Sequence, residues 1–385
     1  MLGAAPSASR GTTSQSPSAP VLEYLAHASF VVQSASGTRV VVDPFNSERW
    51  LGYTFPPDVP ADAVLVSHPH YDHDASYYFP AGTPVFRRPG RHAVGDIVIE
   101  GHQGRHADPY GRDFGQLNTM WVIETGGVRV AHLGDNGPVS AQTLAALGRI
   151  DVLLLPADGQ KHIPSDEAIE VIRTALSPTL TIPMHYRLEG FRDLPASLGL
   201  VDLAGAESLA THRLVLDRAT VSGAHRTVVL RPSPAVHSWS GALAEAWRLR
   251  DGARLRLRDE TVVPPGGAAA TAAPGAAARR RTVAALRQAT ALVPSVIVFQ
   301  AELAEALDAL GQGGEAVAIL ERAVAATDRQ DVEYTMRGRK LLATLYARLG
   351  WNSRAAAQYL TVAGASSRPA QVEAARAFLL KHPVP

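Results

Sequence analysis

Residues 67–74 read Ser67-His68-Pro69-His70-Tyr71-Asp72-His73-Asp74, three imidazoles and two carboxylates in eight positions. They follow the apolar run Ala63-Val64-Leu65-Val66, which reads as a strand. Pro69 ends that strand, because proline brings no N–H to a β-ladder. His68, His70, Asp72 and His73 form an H-x-H-x-D-H pattern, and imidazole with carboxylate suits Zn(II), Mn(II) or Fe(II). A four-coordinate ion with an open position takes three protein donors. Four candidates on one loop therefore point to two ions, completed by residues from elsewhere in the chain.

Three distant residues qualify. His106 lies in GRHADPYG after the strand-like DIVIEG, Asp135 lies in HLGDNG, and His185 lies in TIPMHY. Each stands where an apolar run gives out, which is where an α/β scaffold presents ligands. His102, four residues before His106, is a rival, and His106 is preferred because the strand should have ended there. The plainer alternatives are a histidine-rich surface loop with no metal, and an Asp135 that merely caps a turn.

The chain has 385 residues, which suggests two or three domains. With 46% hydrophobic residues it can build a sizeable core, and its formal net charge of +1 gives no global field to attract nucleic acid. There is no cysteine, so thiolate sites and disulfides are excluded and His, Asp and Glu remain as donors. No apolar run of about 18 residues occurs, so no membrane span is predicted. Residues 1–20 are rich in Ser, Ala and Pro and read as a disordered tail. The compartment stays open, with the cytoplasm as the default.

From 21 to 238 short β-like runs alternate with helical patterns, expected at 140–147, 165–176 and 205–210, so an α/β domain is predicted. Gly126-Gly127 between two such runs signals a hairpin. Residues 239–278 read as a connecting segment ending in an Ala/Pro/Gly-rich linker. Within it ALAEAWRLR looks helical while RLRLRDETVV alternates like a strand. From 279 to 385 the period is helical. Ala304, Gly311, Glu315, Ala316 and Ala323 recur in weaker form as Ala343, Gly350, Arg354, Ala355 and Val362, an offset of 39 residues. This resembles the tetratricopeptide repeat, with a longer loop near 328–331 and a half repeat ending at Pro294; a plain helical bundle is the alternative.

The motifs HASF, VVVDPF, SHPHYDHD, NTMWVIETGGVRVAHLGDNG, DVLLLPAD and IPMHY occur in this order between residues 21 and 187. Together they resemble the metallo-β-lactamase superfamily, in particular its L-ascorbate-6-phosphate lactonase-like branch. The resemblance implies a four-layer αββα sandwich followed here by the all-α helical-repeat domain, with two divalent metal ions at one edge of the sheets, zinc by preference and manganese or iron as alternatives. It implies His68, His70 and His106 on the first ion, Asp72, His73 and His185 on the second, and Asp135 bridging both. Asp43 would orient a ligand histidine. His27, in the H-A-x-F motif, lines the site or is structural. After DVLLLPAD the sequence GQKHIPS departs from the glycine-rich, tyrosine-containing turn of relatives. Lys161 and His162 thus become candidates for substrate contact or leaving-group protonation, against an exposed loop, and Asp158 reaches the site or starts that loop. His132, His212, His225 and His237 are read as unrelated to it.

The expected activity is hydrolysis of a small ester, lactone or phosphodiester by a metal-bridging hydroxide, with Asp72 aiming the nucleophile and no covalent intermediate. The competing readings are a nuclease or phospholipase of the same superfamily, and an adaptor with an inert hydrolase-like domain. The helical domain would bind a protein partner or mediate self-association.

Overall fold

The computed structural model describes residues 19–48, 51–106, 117–137, 139–157, 162, 166–186, 188, 206–239, 241–259, 275–327, 332–366 and 369–382. Residues 1–18, Asp158, Lys161, Ser165, the linker at 260–274 and the loop at 328–331 lie outside them.

Chain order runs β1 Val21–Ala26, β2 Ser29–Gln33, β3 Arg39–Val42, β4 Tyr53–Thr54, β5 Ala63–Leu65, β6 Val85–Phe86, β7 Gly90–Val94, β8 Ile97–Arg105, β9 Leu117–Thr125 and β10 Val128–His132. Then come α1 Ala141–Leu147, β11 Val152–Pro156, α2 Asp166–Leu176, β12 Leu180–Met184, β13 Glu207–Ser208, β14 Arg213–Val215, β15 Arg226–Val229 and β16 His237–Ser238. They form a six-stranded sheet, β14-β1-β2-β3-β5-β6, and an eight-stranded sheet, β13-β15-β12-β11-β10-β9-β8-β7, with β16 and β4 as a separate pair. One continuous apolar core takes residues from both sheets, from Leu22 and Val41 to Ile123 and Ile182, and also buries Leu147 of α1 and Ile172 of α2. The sheets therefore pack face to face.

Strand composition follows position. β11 and β12 are buried along their whole length and are almost wholly apolar, as parallel strands covered on both faces must be. β8, towards the edge, mixes buried and half-exposed positions. Gly126 (φ 58°) and Gly127 (φ 76°) turn β9 into β10 with Thr125 opposite Val128, the left-handed pair that a two-residue hairpin needs. Ser140 caps α1, its side chain accepting from the Thr143 N–H. The helix expected at 205–210 is not formed: Glu207–Ser208 pairs in parallel with β15 instead, hydrogen bonding at a sheet edge having overridden local propensity.

β3, β5 and β6 are mutually parallel, as are β10, β11, β12 and β15. Their C-terminal ends thus point to one edge within each sheet, and the candidate ligands follow those ends.

Among the described residues, seven helices succeed the strands: α3 Gly241–Asp259, α4 Ala276–Leu292, α5 Ile297–Asp308, α6 Gly313–Thr327, α7 Val332–Arg348, α8 Asn352–Ala365 and α9 Pro369–Lys381. The ambiguous RLRLRD is helical, and α3 packs along α4 as each later helix packs on the next. Ala304, Ala316, Ala323, Ala343, Ala355 and Val362 are all buried between helices, as the small-residue spacing predicts. Gly311 (φ 80°) and Gly350 (φ 78°) end α5 and α7 in the same way. The next residue reaches back five positions, Gln312 N–H to Leu307 O and Trp351 N–H to Tyr346 O. This is the left-handed helix stop that glycine adopts without a Cβ clash. Among the described residues no helix is long and apolar enough to cross a membrane.

Candidate metal centre

The loop after β5 is held from below by Asp43, which follows β3 in a left-handed conformation (φ 46°). Its Oδ1 accepts the Ser67 N–H at 2.7 Å, and Oδ2 accepts the Ser67 hydroxyl at 2.6 Å and faces His73 Nδ1 at 2.8 Å. With Nδ1–H donating to Asp43, the ring of His73 turns Nε2 into the cavity. Ser67 Oγ is also 3.0 Å from His68 Nδ1, and His68 Nε2 is 2.9 Å from His70 Nδ1.

Asp135 arrives from the end of β10. Gly134 before it has φ 56°, and a Cβ there would stand 2.6 Å from the Ser67 Cβ, so glycine alone lets β10 approach the histidine loop. Asn118 on β9 fixes the turn, its Oδ1 accepting the Asp135 N–H at 3.2 Å and its Nδ2 donating to Leu133 O at 2.9 Å. His106 follows β8 directly and bridges to Asn136. His185 follows β12 with φ 57°, and its N–H donates at 2.9 Å to the carbonyl of His27, itself at φ 57° in the β1–β2 turn. Thr119 N–H donates to Ser67 O at 2.7 Å, a second main-chain link between the sheets.

The seven expected side chains converge. Asp135 Oδ2 lies 3.8 Å from His68 Nε2, 3.7 Å from His106 Nε2 and 3.2 Å from His185 Nε2, while Oδ1 lies 3.2 Å from His73 Nε2. Asp72 Oδ2 lies 3.7 Å from His73 Nε2 and 3.8 Å from His185 Nε2. The rings of His68 and His70 approach His106 to 4.6 Å between centroids. His102 stays in the β8–β9 ladder opposite Met120, so His106 is the residue brought to the cage. His27 lines it, its Nε2 3.2 Å from Asp72 Oδ2. His162 is buried beside it, Nε2 3.2 Å from Asp135 Oδ2.

His212, His225 and His237 lie apart: His212 beside Glu23, His225 bonded to Pro178 O, His237 in β16. His132 corrects the expectation that it is unrelated. It is buried beneath the cage, with Nε2 2.8 Å from Ala28 O, Nδ1 accepting the Gly134 N–H at 3.1 Å, and Asp43 Oδ2 3.9 Å away. Ser67 and Asn118 were also missed as site residues, although both stand inside quoted motifs. Neither type announces itself as a ligand support.

Burial raises the carboxyl pKa of Asp135, but His162, His185 and His73 outweigh it and hold the group well below the usual carboxylate range. Asp72 behaves alike, burial being overcome by His73, His185 and His27. Burial, with the neighbouring His73, His70 and His106, pushes His68 well below the ordinary imidazole value. Burial also lowers His73, yet Asp135, Asp72 and Asp43 prevail and hold it well above.

The donor set fits cations. His73 Nε2, His106 Nε2 and Asp135 Oδ1 are buried and have no hydrogen-bond partner among the described residues, a cost that native proteins seldom leave unmet. Among the described residues, four groups have their donor atoms within 4.8 Å of one another inside each group: His27, Asp72, His73 and His185; His68, His70 and His106; His68, His73 and Asp135; and His106, Asp135 and His162. Such nitrogen and oxygen donors suit first-row divalent ions.

Residues 21–185 match the model of the beta-lactamase superfamily domain. A UPF0173 metal-dependent hydrolase of Thermoplasma acidophilum is 30% identical over 172 residues, covering 38% of this chain and 75% of that protein. A Zn-dependent hydrolase assignment in the metallo-beta-lactamase superfamily accompanies a Thermotoga maritima structure, 25% identical with a TM-score of 0.44, covering 56% of this chain and 100% of that one. The helical region has a neighbour in a thermophilic TPR protein of Thermus thermophilus, 23% identical with a TM-score of 0.24, covering 27% of this chain and 51% of that one. Fold and cage define a member of the metallo-β-lactamase superfamily. Within it, the chain belongs to the UPF0173 metal-dependent hydrolases.

Proposed function

We propose that the chain is a dinuclear hydrolase of a small ester, lactone or phosphodiester. In this reading His68, His70 and His106 hold one divalent ion, Asp72, His73 and His185 hold the other, and Asp135 joins them. The observation that carries it is the placement of the Asp135 carboxylate among both sets of histidines, Oδ1 facing His73 and Oδ2 facing His68, His106 and His185. When bound, such ions supply Lewis acidity and water acidified to a pKa of about 7.

The chain's own residues do the rest. Asp72 stays ionised, so it is ready to accept a proton from the attacking water. His27 steadies that carboxylate through its 3.2 Å contact with Oδ2. Asp43 and Ser67 fix the rings of His73 and His68, so the donors meet a cation already oriented. With no cysteine in the chain, a thioester intermediate is unavailable.

The test is elemental analysis of the purified chain together with turnover on an ester, lactone and phosphodiester panel. About two ions per chain, with activity lost on chelation and restored by added Zn(II) or Mn(II), is the expected result. Metal-free protein, or turnover indifferent to chelation, overturns the reading, and cleavage of RNA in place of small substrates transfers it to a nuclease. The helical region is read as a surface for a protein partner or a second copy, on the ground that stacked helix pairs build extended binding faces.

A further inference from the structure

We infer that His162 is an eighth donor of the cage, binding through Nε2 the cation that His106 and Asp135 hold. The inference rests on the dinuclear reading and extends it, because the seven-residue pattern contains no ligand between Asp135 and His185.

His162 is 4% exposed and its Nε2 lies 3.2 Å from Asp135 Oδ2, the same oxygen that faces His68, His106 and His185. Its ring stands between two candidate ligands, with centroids 5.4 Å from His106 and 4.7 Å from His185. The donor atoms of His106, Asp135 and His162 lie within 4.8 Å of one another. Two ligand bonds of about 2.0–2.2 Å to a common tetrahedral ion set their donors about 3.3–3.6 Å apart, close to the 3.2 and 3.7 Å that separate Asp135 Oδ2 from His162 and His106.

His132 makes the contrast. It is as buried as any cage histidine, but both its ring nitrogens are committed to main-chain partners, Ala28 O and the Gly134 N–H. His162 instead aims a ring nitrogen at the shared carboxylate. A substrate-reading residue would need its polar edge towards open space; this one faces the cage. An added imidazole makes the donor set richer in nitrogen, so the site takes Zn(II), Co(II) or Fe(II) in preference to Mg(II) or Ca(II).

The test uses the full chain, stripped and reloaded with Zn(II) or Co(II), with His162→Ala and His162→Cys. Zn(II) affinities are read by competition with a chromophoric chelator, and coordination by the Co(II) absorption spectrum. The expected result is two ions in the parent protein and at least about tenfold weaker binding of one of them in His162→Ala. His162→Cys should recover that affinity and show a thiolate-to-cobalt charge-transfer band, unambiguous because the chain has no other cysteine. If circular dichroism shows that His162→Ala does not fold, His162→Asn is read in its place. Parent-like affinities in the Ala or Asn variant overturn the inference. So does lost affinity with no charge-transfer band in His162→Cys, which makes His162 a positioning residue. A parent chain that binds no ion removes the dinuclear reading itself, so the two failures are distinguishable.

Discussion

Trp247 Nε1 donates to the carbonyl of Glu48 at 3.1 Å, tying α3 to the loop that leaves Asp43. Trp239 makes the companion bond, Nε1 to Ser47 O at 2.6 Å, and the two indoles stack with centroids 5.6 Å apart. Phe299 of α5 closes on Trp247 at 5.1 Å, and the Arg250 guanidinium lies 5.0 Å from its ring. The same loop continues to the histidines, since Asn46 N–H donates to Tyr71 O at 2.8 Å. The helical region is therefore mechanically joined to the histidine loop.

Trp247→Ala should remove about 3–5 kcal/mol, the usual result of emptying a buried aromatic site. Trp247→Phe, which keeps most of the ring and loses one hydrogen bond, should cost about 1 kcal/mol. Scanning calorimetry checks both, and the Ala variant is expected to split one transition into separate sheet and helical transitions. A single unshifted transition would contradict the joint.

Asp72→Asn should keep the fold and lose most turnover. The amide preserves shape but cannot take a proton from water, so kcat is expected to fall by about 10²-fold or more. Melting temperature and kcat on a substrate identified from the panel are the measurements. Full activity would contradict the role given to Asp72.

Asp43→Asn attacks the support from behind. Removing the anion that holds His73 Nδ1 and both polar groups of Ser67 should weaken metal binding by about 10–100-fold. Competition with a chelator checks the affinity. An unchanged value would mean that the histidine loop is ordered by other contacts.

Alkaline pH should destabilise the chain through Tyr24. Burial, then Tyr186 and Tyr53, pushes its phenol well above 10.0 in the folded protein. The unfolded chain ionises near pH 10 and binds fewer protons there than the folded one, so stability falls as pH rises beyond that value, by up to about 1.4 kcal/mol per pH unit. Tyr24→Phe removes this group's contribution, so its denaturant midpoint should decline less steeply between pH 9 and 11. Parallel slopes would contradict the assignment.

The sandwich and the cage were legible because their chemistry is concentrated. An H-x-H-x-D-H run has few structural uses, and His106, Asp135 and His185 each stand where an apolar strand stops. Supports were less visible. Ser67 and Asn118 are common residues that matter here through hydrogen bonds to partners far along the chain. His132 is apolar in its setting and polar in its bonds, so a strand pattern absorbs it. His162 sits off the strand ends, where spacing gives no prediction of direction. The helix at RLRLRD was obscured because alternating Arg and Leu also satisfies a period of two. Nothing in the sequence revealed that Trp239 and Trp247 would face the hydrolase part, since that depends on tertiary meetings across 192 and 199 positions.

The main-chain bond from His185 N–H to His27 O, with its counterpart from Thr119 N–H to Ser67 O, has a mechanical consequence. These bonds act as clasps across the seam of the sandwich, beside the cage. Peeling the sheets apart at that end would break both before any guest gained room. The gauge between the two halves of the cage is therefore held in part by backbone, through bonds that most exchanges of side chain would leave in place.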